Sequence, residues 1–308
     1  MNKNVFPEYD VFIAPDGEEL QFNRLADRFV QSFEGYGMSP IKYVEQQGAL
    51  QHGTTIYDYK LQRRIIQWTI RQNGCSRWDY WEKRALSLDM LRPNRHTLNN
   101  FGPGKLRKFL PDGTMRDLDV HLERGPMFAS PTAYWDEWGF TEILRFIAPD
   151  PTFYDPTVLD VSASLAVAPL ELEFPITFPI EFGDSLISDT SNVNYLGTWL
   201  TYPTIVITGP VSGFQITNTA TGEVITLSHE IPAGDTVTIS LQYGDKSVEN
   251  SAGTNLIGSI LPDSDLATFH IAPEPEAAGG VNPINIIGAG AGGATQIDVT
   301  YKTRYIGI

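Results

Sequence analysis

The sequence predicts a mostly β protein with two domains, the first containing β-structure and one α-helix, the second an antiparallel β-sandwich. Charge divides the chain: residues 1–155 hold 19 Lys+Arg and 21 Asp+Glu (19 − 21 = −2), whereas residues 156–308 hold 3 and 16 (3 − 16 = −13). Five of the six tryptophans also lie in the first part. Three prolines between Ala148 and Pro156 disfavour regular structure, so we place the domains at 1–150 and 151–308.

The first domain shows strand and helix patterns in turn. From Ile56 to Arg71, β-branched and aromatic residues alternate roughly with charged ones, which predicts one or two strands. From Ser76 to Leu91 the period changes to that of a helix, with Ser76 as N-cap and Pro93 ending it. Its apolar stripe, which we expect to face a core or a subunit contact, consists of Trp78, Trp81, Ala85 and Leu88.

A hairpin and a further strand complete the predicted first domain. The turn signal from Leu110 to Thr114 separates two extended stretches within Leu106 to Leu122, which favours a hairpin. The stretch from Trp138 to Ile147 is typical of a strand.

The second domain contains no convincing helix. Short Thr- and Val-rich stretches recur about every ten residues between turn signals, as in an antiparallel sandwich. They are Thr204 to Thr208, Gly213 to Asn218, Glu223 to Ser228 and Thr236 to Leu241. Ala277 to Ala294, rich in Gly and Ala, is predicted to be a long loop or arm, and Thr295 to Tyr305 a closing strand.

Composition excludes several classes of protein. A net charge of −15 disfavours binding to a phosphate backbone, which requires clustered Lys and Arg. The single cysteine, Cys75, permits no intrachain disulfide and no cysteine-rich zinc module. No stretch has the apolar length of a membrane span or of a signal-peptide core, so we expect no membrane insertion.

No catalytic, cofactor or metal site is predicted. Cys75 could pair with a histidine base, but no protease signature surrounds it. The glycines from Gly288 to Gly293 precede a strand rather than the helix that a dinucleotide loop needs. The pairs Asp117 with Asp119 and Asp263 with Asp265 could serve glycoside hydrolysis only if held across a cleft.

An alternative function is a carbohydrate-binding module for host-surface glycans. Trp135, Trp138 and Trp199 could stack on sugar rings beside carboxylates that accept hydroxyl hydrogen bonds. The competing interpretation, that these tryptophans supply core or interface area, is favoured because each buries so much surface.

The order of landmarks along the chain resembles the distal tail protein family (Dit-like, the siphovirus-type tail component family) of long-tailed, non-contractile bacteriophages. In the first half the landmarks are Ile65 to Trp68, Trp81 to Arg84, Pro93, Pro111 to Thr114, Trp138 to Phe140, Phe146 to Pro151 and Tyr154 to Pro156. In the second half they are Phe174 to Gly183, Tyr202 to Ile205, Gly209 with Pro210, Leu256 to Gly258 and Pro262 to Phe269. Each string is common, and their joint order carries the resemblance.

The resemblance implies a structural virion protein at the distal end of the phage tail, made in the host cytoplasm. An N-terminal ring or belt domain would assemble into a homo-hexamer, and a C-terminal galectin-like β-sandwich would project outward. The ring would join the tail tube protein to the hub or tail-associated protein, and the tape measure protein and then DNA would pass through it. Some family members carry an inserted sugar-binding module for which this chain has no room, so adhesion is expected of docked receptor-binding or tail-fibre proteins.

Ring contacts are expected from the strand containing Trp68 and from the helix containing Trp78, Trp81 and Arg84. The nearly balanced charge of the first half suits contacts between copies. We expect no enzymatic activity.

Overall fold

Antiparallel strands build both halves of the protein. The computed structural model describes residues 8–23, 27–93, 95, 102–128, 139–164, 186–292 and 294–308. The chain divides into one unit made of Met1–Pro156 with Tyr305–Ile308, and a second unit made of Thr157–Arg304. The division thus falls six residues after the sequence-based boundary of 150, and the last four residues belong to the first unit.

The first unit contains nine complete strands and one helix among its described residues. They are β1 (Tyr9–Ile13), β2 (Glu19–Phe22), β3 (Arg28–Glu34), β4 (Ile41–Gln46), β5 (Thr55–Leu61), β6 (Arg64–Asn73), α1 (Arg77–Leu91), β7 (Gly104–Phe109), β8 (Met115–Arg124) and β9 (Gly139–Ala148), followed by the start of β10 (Phe153–Ser164). The predicted hairpin is confirmed as β7 and β8, and the strand after Trp138 as β9. The stretch from Ile56 to Arg71, predicted as one or two strands, forms parts of the two strands β5 and β6.

Two sheets of the first unit share strand β8. One runs in the order β2-β1-β7-β8, and the other in the order β3-β6-β9-β8. Strand β6 alternates strictly between buried and half-buried positions, so Ile66, Trp68 and Ile70 point into the core. There they meet apolar residues of other strands, including Phe12 and Phe146. This alternation is the period-2 pattern of a strand with one buried face.

The chain's last residues are held in the first unit by a buried arginine. Arg64 is 1% exposed, and its guanidinium donates to the carbonyl oxygens of Gly35, Gly37, Pro151 and Ile306. Its charge also lies over the ring of Phe153, at 4.7 Å from the centroid. Burial lowers the pKa of Arg64 to about 10, so the guanidinium remains charged at neutral pH.

The second unit is an antiparallel sandwich. Its strands are the remainder of β10, then β11 (Leu186–Asn194), β12 (Thr204–Thr208), β13 (Ser212–Asn218), β14 (Glu223–Leu227), β15 (Thr236–Gln242), β16 (Asp245–Asn250), β17 (Val281–Ala289) and β18 (Gln296–Tyr305). One sheet has the order β11-β17-β13-β14, and the other contains β16-β15-β12-β18. The four predicted strands and the closing strand are confirmed. The described helices are two short 3₁₀ turns, Ile257–Ser259 and Ala278–Gly280.

The predicted loop from Ala277 to Ala294 is wrong over half of its length, because Val281–Ala289 is strand β17. Strand β17 is internal to its sheet, because it pairs with β11 on one side and β13 on the other. Asn282, Ile284 and Ile286 alternate into the core, whereas most of the Gly and Ala residues that suggested a loop lie before or after the strand. The alternation of buried positions is therefore a better indicator of the strand than the Gly- and Ala-rich composition of the segment.

Candidate interaction surface

Helix α1 begins where the sequence predicts but buries a different face. Ser76 Oγ accepts a hydrogen bond from Asp79 N at 3.2 Å, and Arg92 already has extended backbone. The buried positions are Ser87, Met90 and Leu91. We expected the predicted apolar stripe to face either the core or a subunit contact. The structure shows that it does not face the core.

The polar anchors of the helix explain its orientation. Ser87 Oγ donates to Gln72 Oε1 at 2.9 Å, and Lys83 Nζ lies 2.5 Å from Asp27 and 2.8 Å from Asp79. Tyr80 adds an edge contact with Phe140 at 5.8 Å between ring centroids. The helix therefore packs against the rest of the unit through a partly polar face, whereas hydropathy alone would predict that its apolar face is buried.

The outward face is an aromatic stripe, which we define as Trp78, Trp81, Ala85 and Leu88. Trp78 is 74% exposed and Trp81 49% exposed, although tryptophan usually buries most of its surface. The Trp78 indole donates to Glu82 Oε1 at 3.0 Å. Arg84 stacks between two rings, 4.7 Å from Trp81 and 4.3 Å from Phe128. The stripe is thus an ordered apolar surface with charged groups beside it.

Trp68 does not belong to this surface, and its predicted role in ring contacts is corrected. Its side chain is fully buried, with its indole edge-on to Phe22 at 5.2 Å and Phe146 at 5.4 Å. Its Nε1 donates to Tyr36 Oη at 2.9 Å, which satisfies its only donor. A residue enclosed by its own chain has no surface left for another copy.

A second exposed surface lies on the β4–β5 hairpin. The register pairs Tyr43 with Tyr59 and Lys42 with Lys60, so the ribbon has two chemically different faces. One face, the tyrosine face, consists of Tyr43, Tyr57 and Tyr59, which are 51%, 66% and 50% exposed, with half-buried Ile41 and Leu61 at its base. The opposite face carries Lys42, Lys60, Val44 and Asp58. Beyond these pairs the register shifts at Tyr57, and Glu45 pairs with Ile56 near the tip.

Local hydrogen bonds order both ends of the hairpin. At its base, Gln62 N donates to the Pro40 carbonyl at 2.8 Å. Near its tip, Thr54 Oγ1 donates to Glu45 Oε2 at 2.8 Å, and Gln51 Nε2 donates to Thr55 Oγ1 at 2.8 Å. The sequence predicted a strand here but not the exposed tyrosine face, although the alternation of Tyr57, Asp58, Tyr59 and Lys60 already indicates a two-faced ribbon.

Three of the four aspartates considered for catalysis have structural partners. Arg107 binds Asp117 through two nitrogens at 2.7 and 2.8 Å, and Tyr154 Oη donates to Asp119 at 2.7 Å. Asp265 accepts from Val224 N at 2.9 Å and thereby covers the edge of strand β14. Cys75 is exposed at the start of α1. Within the described ranges, no three His, Cys, Asp or Glu residues are grouped as a metal site would require.

The tryptophans of the glycan alternative are not brought together by described structure. Trp135 and Trp138 lie outside the described residues. Trp199 is half-buried, and its backbone carbonyl accepts a hydrogen bond from Tyr195 Oη at 2.6 Å. Their role in sugar binding stays a prediction.

Residues 196–305 match the family model of the siphovirus-type tail component, C-terminal domain. The second unit is a siphovirus-type tail component domain. The family resemblance found in the sequence is thereby confirmed. No curated protein sequence matches the chain significantly.

The fold of this tail component extends the likeness to nearly the full chain. The SPP1 Dit (gp 19.1) protein, described as a paradigm of the hub adsorption apparatus in Gram-positive infecting phages, is similar with a TM-score of 0.62 and 14% identity, over 97% of this chain and 99% of that one. A chain of the phage P2 baseplate in its activated conformation with Ca is similar with a TM-score of 0.50 and 12% identity, over 95% and 97%. At such identities the likeness establishes a shared fold. No described helix of the tail component is long and apolar enough to cross a membrane.

Proposed function

We propose that this tail component is the structural adaptor at the distal end of a siphophage tail, assembled as a hexameric ring. The ring joins the tail tube protein to the hub or tail-associated protein and surrounds the path of the tape measure protein and then DNA. Receptor-binding or tail-fibre proteins dock on the assembled ring. The role is mechanical, and the chain performs no catalysis.

The observation that carries this proposal is the family match of the second unit, combined with a first unit that exposes two apolar aromatic surfaces. An isolated two-stranded hairpin is at best marginally stable in water, and exposed aromatic surface marks sites of association. The tyrosine face and the aromatic stripe are both ordered yet uncovered in the single chain. In an assembled ring, both surfaces can be buried against other chains.

The charge distribution agrees with passage of DNA without binding. The first unit contains the same charged residues as 1–155, so it has a net charge of −2 and copies meet without strong repulsion. The second unit carries −13, and six chains together carry 6 × −15 = −90. An assembly this acidic does not retain a phosphate backbone, so we expect no specific nucleic-acid binding.

Size-exclusion chromatography with light scattering tests the assembly. A hexamer of the 34.2 kDa chain has a mass of 6 × 34.2 = 205 kDa, and electron microscopy of that fraction should show rings. Chain at high concentration that stays strictly monomeric, together with tail particles lacking a ring of this protein, would overturn the proposal.

A further inference from the structure

The two exposed surfaces of the first unit have matching chemistry and do not cover each other in the structure of the single chain. The tyrosine face and the aromatic stripe consist of uncharged side chains, and both remain exposed in the structure. The hairpin is ordered at its base and tip by the hydrogen bonds described above. Each surface is therefore available to a partner from outside the chain.

Ring symmetry indicates how two different surfaces are used. A patch that contacts itself generates a two-fold dimer, whereas closure of a ring requires two different, complementary patches on every copy. The first unit offers such a pair. We propose that the tyrosine face of one copy (Tyr43, Tyr57, Tyr59) packs on the aromatic stripe of the next copy (Trp78, Trp81, Ala85, Leu88), an inference that rests on the proposed ring.

The dimensions of the two surfaces agree. Trp78 and Leu88 are ten residues apart on a helix, which corresponds to roughly 15 Å. Tyr57 and Leu61 are four residues apart on a strand, which corresponds to roughly 13 Å. The ribbon can therefore lie along the stripe for most of its length.

The charges of the hairpin support docking by this face. Lys42, Lys60 and Asp58 lie on the opposite face, so docking by the tyrosine face leaves these three charges in water. Glu45 lies beyond the register shift near the tip, where Thr54 Oγ1 donates to its carboxylate. Burying unpaired charges would cost several kcal/mol each, and docking by the opposite face would incur that cost. The tyrosine hydroxyls reach the rim of the contact, where they can hydrogen bond to water or to polar groups of the helix.

The native cysteine provides a direct test. Cys75 is exposed and lies three residues before Trp78, just ahead of the helix N-cap Ser76. In the full chain, Tyr57→Cys places a thiol on the tyrosine face, and a short bifunctional maleimide should join it to Cys75 of the next copy. We expect a ladder of covalent multimers on denaturing gels. The matched control, Lys60→Cys, places its thiol on the opposite face of the same strand and should lose the ladder, as should Tyr57→Cys combined with Cys75→Ser.

A second measurement does not depend on cross-linking geometry. The double variant Trp78→Ser/Trp81→Ser should raise the concentration needed for assembly on the order of 30-fold or more, the effect of removing one interface hot spot. Tyr243→Ser removes a comparably exposed aromatic, 66% exposed, from the second unit and should leave assembly unchanged. Circular dichroism of the monomers confirms that each variant is folded.

The outcomes separate this inference from the proposed function. Rings that form without the Tyr57–Cys75 ladder, and that tolerate the double tryptophan substitution, would overturn the pairing and leave the ring intact. A ladder equally strong with Lys60→Cys, or a cross-link confined to single chains, would also overturn it. A protein that is monomeric at all concentrations would overturn both.

Discussion

Stability of the sandwich should depend on pH through His270. The imidazole is 9% exposed, and both ring nitrogens face acceptors. Nδ1 lies 2.9 Å from the Thr268 carbonyl and 3.0 Å from Glu223 Oε2, and Nε2 lies 3.3 Å from Glu276 Oε1. Both nitrogens must carry hydrogen to satisfy these contacts, so the folded form is the imidazolium.

The magnitude follows from the pKa. Burial disfavours the charged ring, but hydrogen bonds to Glu223 and to the Thr268 carbonyl outweigh it and raise the pKa of His270 from 6.5 to about 9. A difference of 2.5 pKa units at 1.36 kcal/mol each corresponds to about 3 kcal/mol. Because the folded state binds the proton more tightly, this stability is fully present below pH 6.5 and is lost as pH rises through about 9.

Thermal unfolding by calorimetry between pH 6 and pH 9.5 measures the effect. The comparison of interest is the wild type against Glu223→Gln, which retains the shape of the side chain but removes the charge that holds the imidazolium. The wild type should lose up to about 3 kcal/mol relative to this variant as pH rises, since titration of all other groups cancels in the difference. Glu276→Gln is the matched control: Glu276 is half exposed, so its loss should cost less than about 1 kcal/mol.

Parallel pH profiles for the wild type and Glu223→Gln would refute the reasoning. That result would mean that His270 is neutral in the folded state. A larger effect from Glu276→Gln than from Glu223→Gln would instead show that Glu276, and not Glu223, stabilises the His270 imidazolium.

Three further substitutions test the first unit. A lysine at position 64 cannot reach all four carbonyls, so Arg64→Lys should lower the free energy of unfolding in urea by about 3 kcal/mol. Arg63→Lys, at the exposed neighbouring position, should leave it unchanged. Equal effects of the two substitutions would contradict the role of Arg64 in holding the four carbonyls. Gly35→Ala would place Cβ 2.1 Å from the Ile65 carbonyl oxygen, whereas Gly17 has a similar positive φ with open space around it. Gly35→Ala should therefore lower the free energy of unfolding by about 2 kcal/mol more than Gly17→Ala. Similar losses would show that the positive φ, and not the clash, determines the cost. Tyr57→Ser should weaken assembly without changing the melting temperature of the monomer, and a lowered melting temperature would place that ring in the fold.

Local signals in the sequence located several elements closely. The turn at Asp112 and Gly113 was readable because Gly113 adopts a φ of 85°, and the carboxylate of Asp112 accepts from Thr114 N at 2.9 Å. The start of α1 was readable because the Ser76 cap acts within one turn. The absence of a convincing catalytic motif and the charge division were likewise properties of the sequence alone.

Packing partners far along the chain decided the rest. Trp68 and Trp81 are equally apolar in sequence, yet one is enclosed by Phe22 and Phe146 and the other faces solvent. The return of the last residues to Arg64 involves a contact 242 residues apart, which no local pattern encodes. Residue type and period therefore located the helix and several of the strands, but not β17, which was predicted as a loop. Only the tertiary structure decided which faces are buried, because burial depends on partners that the chain brings together when it folds.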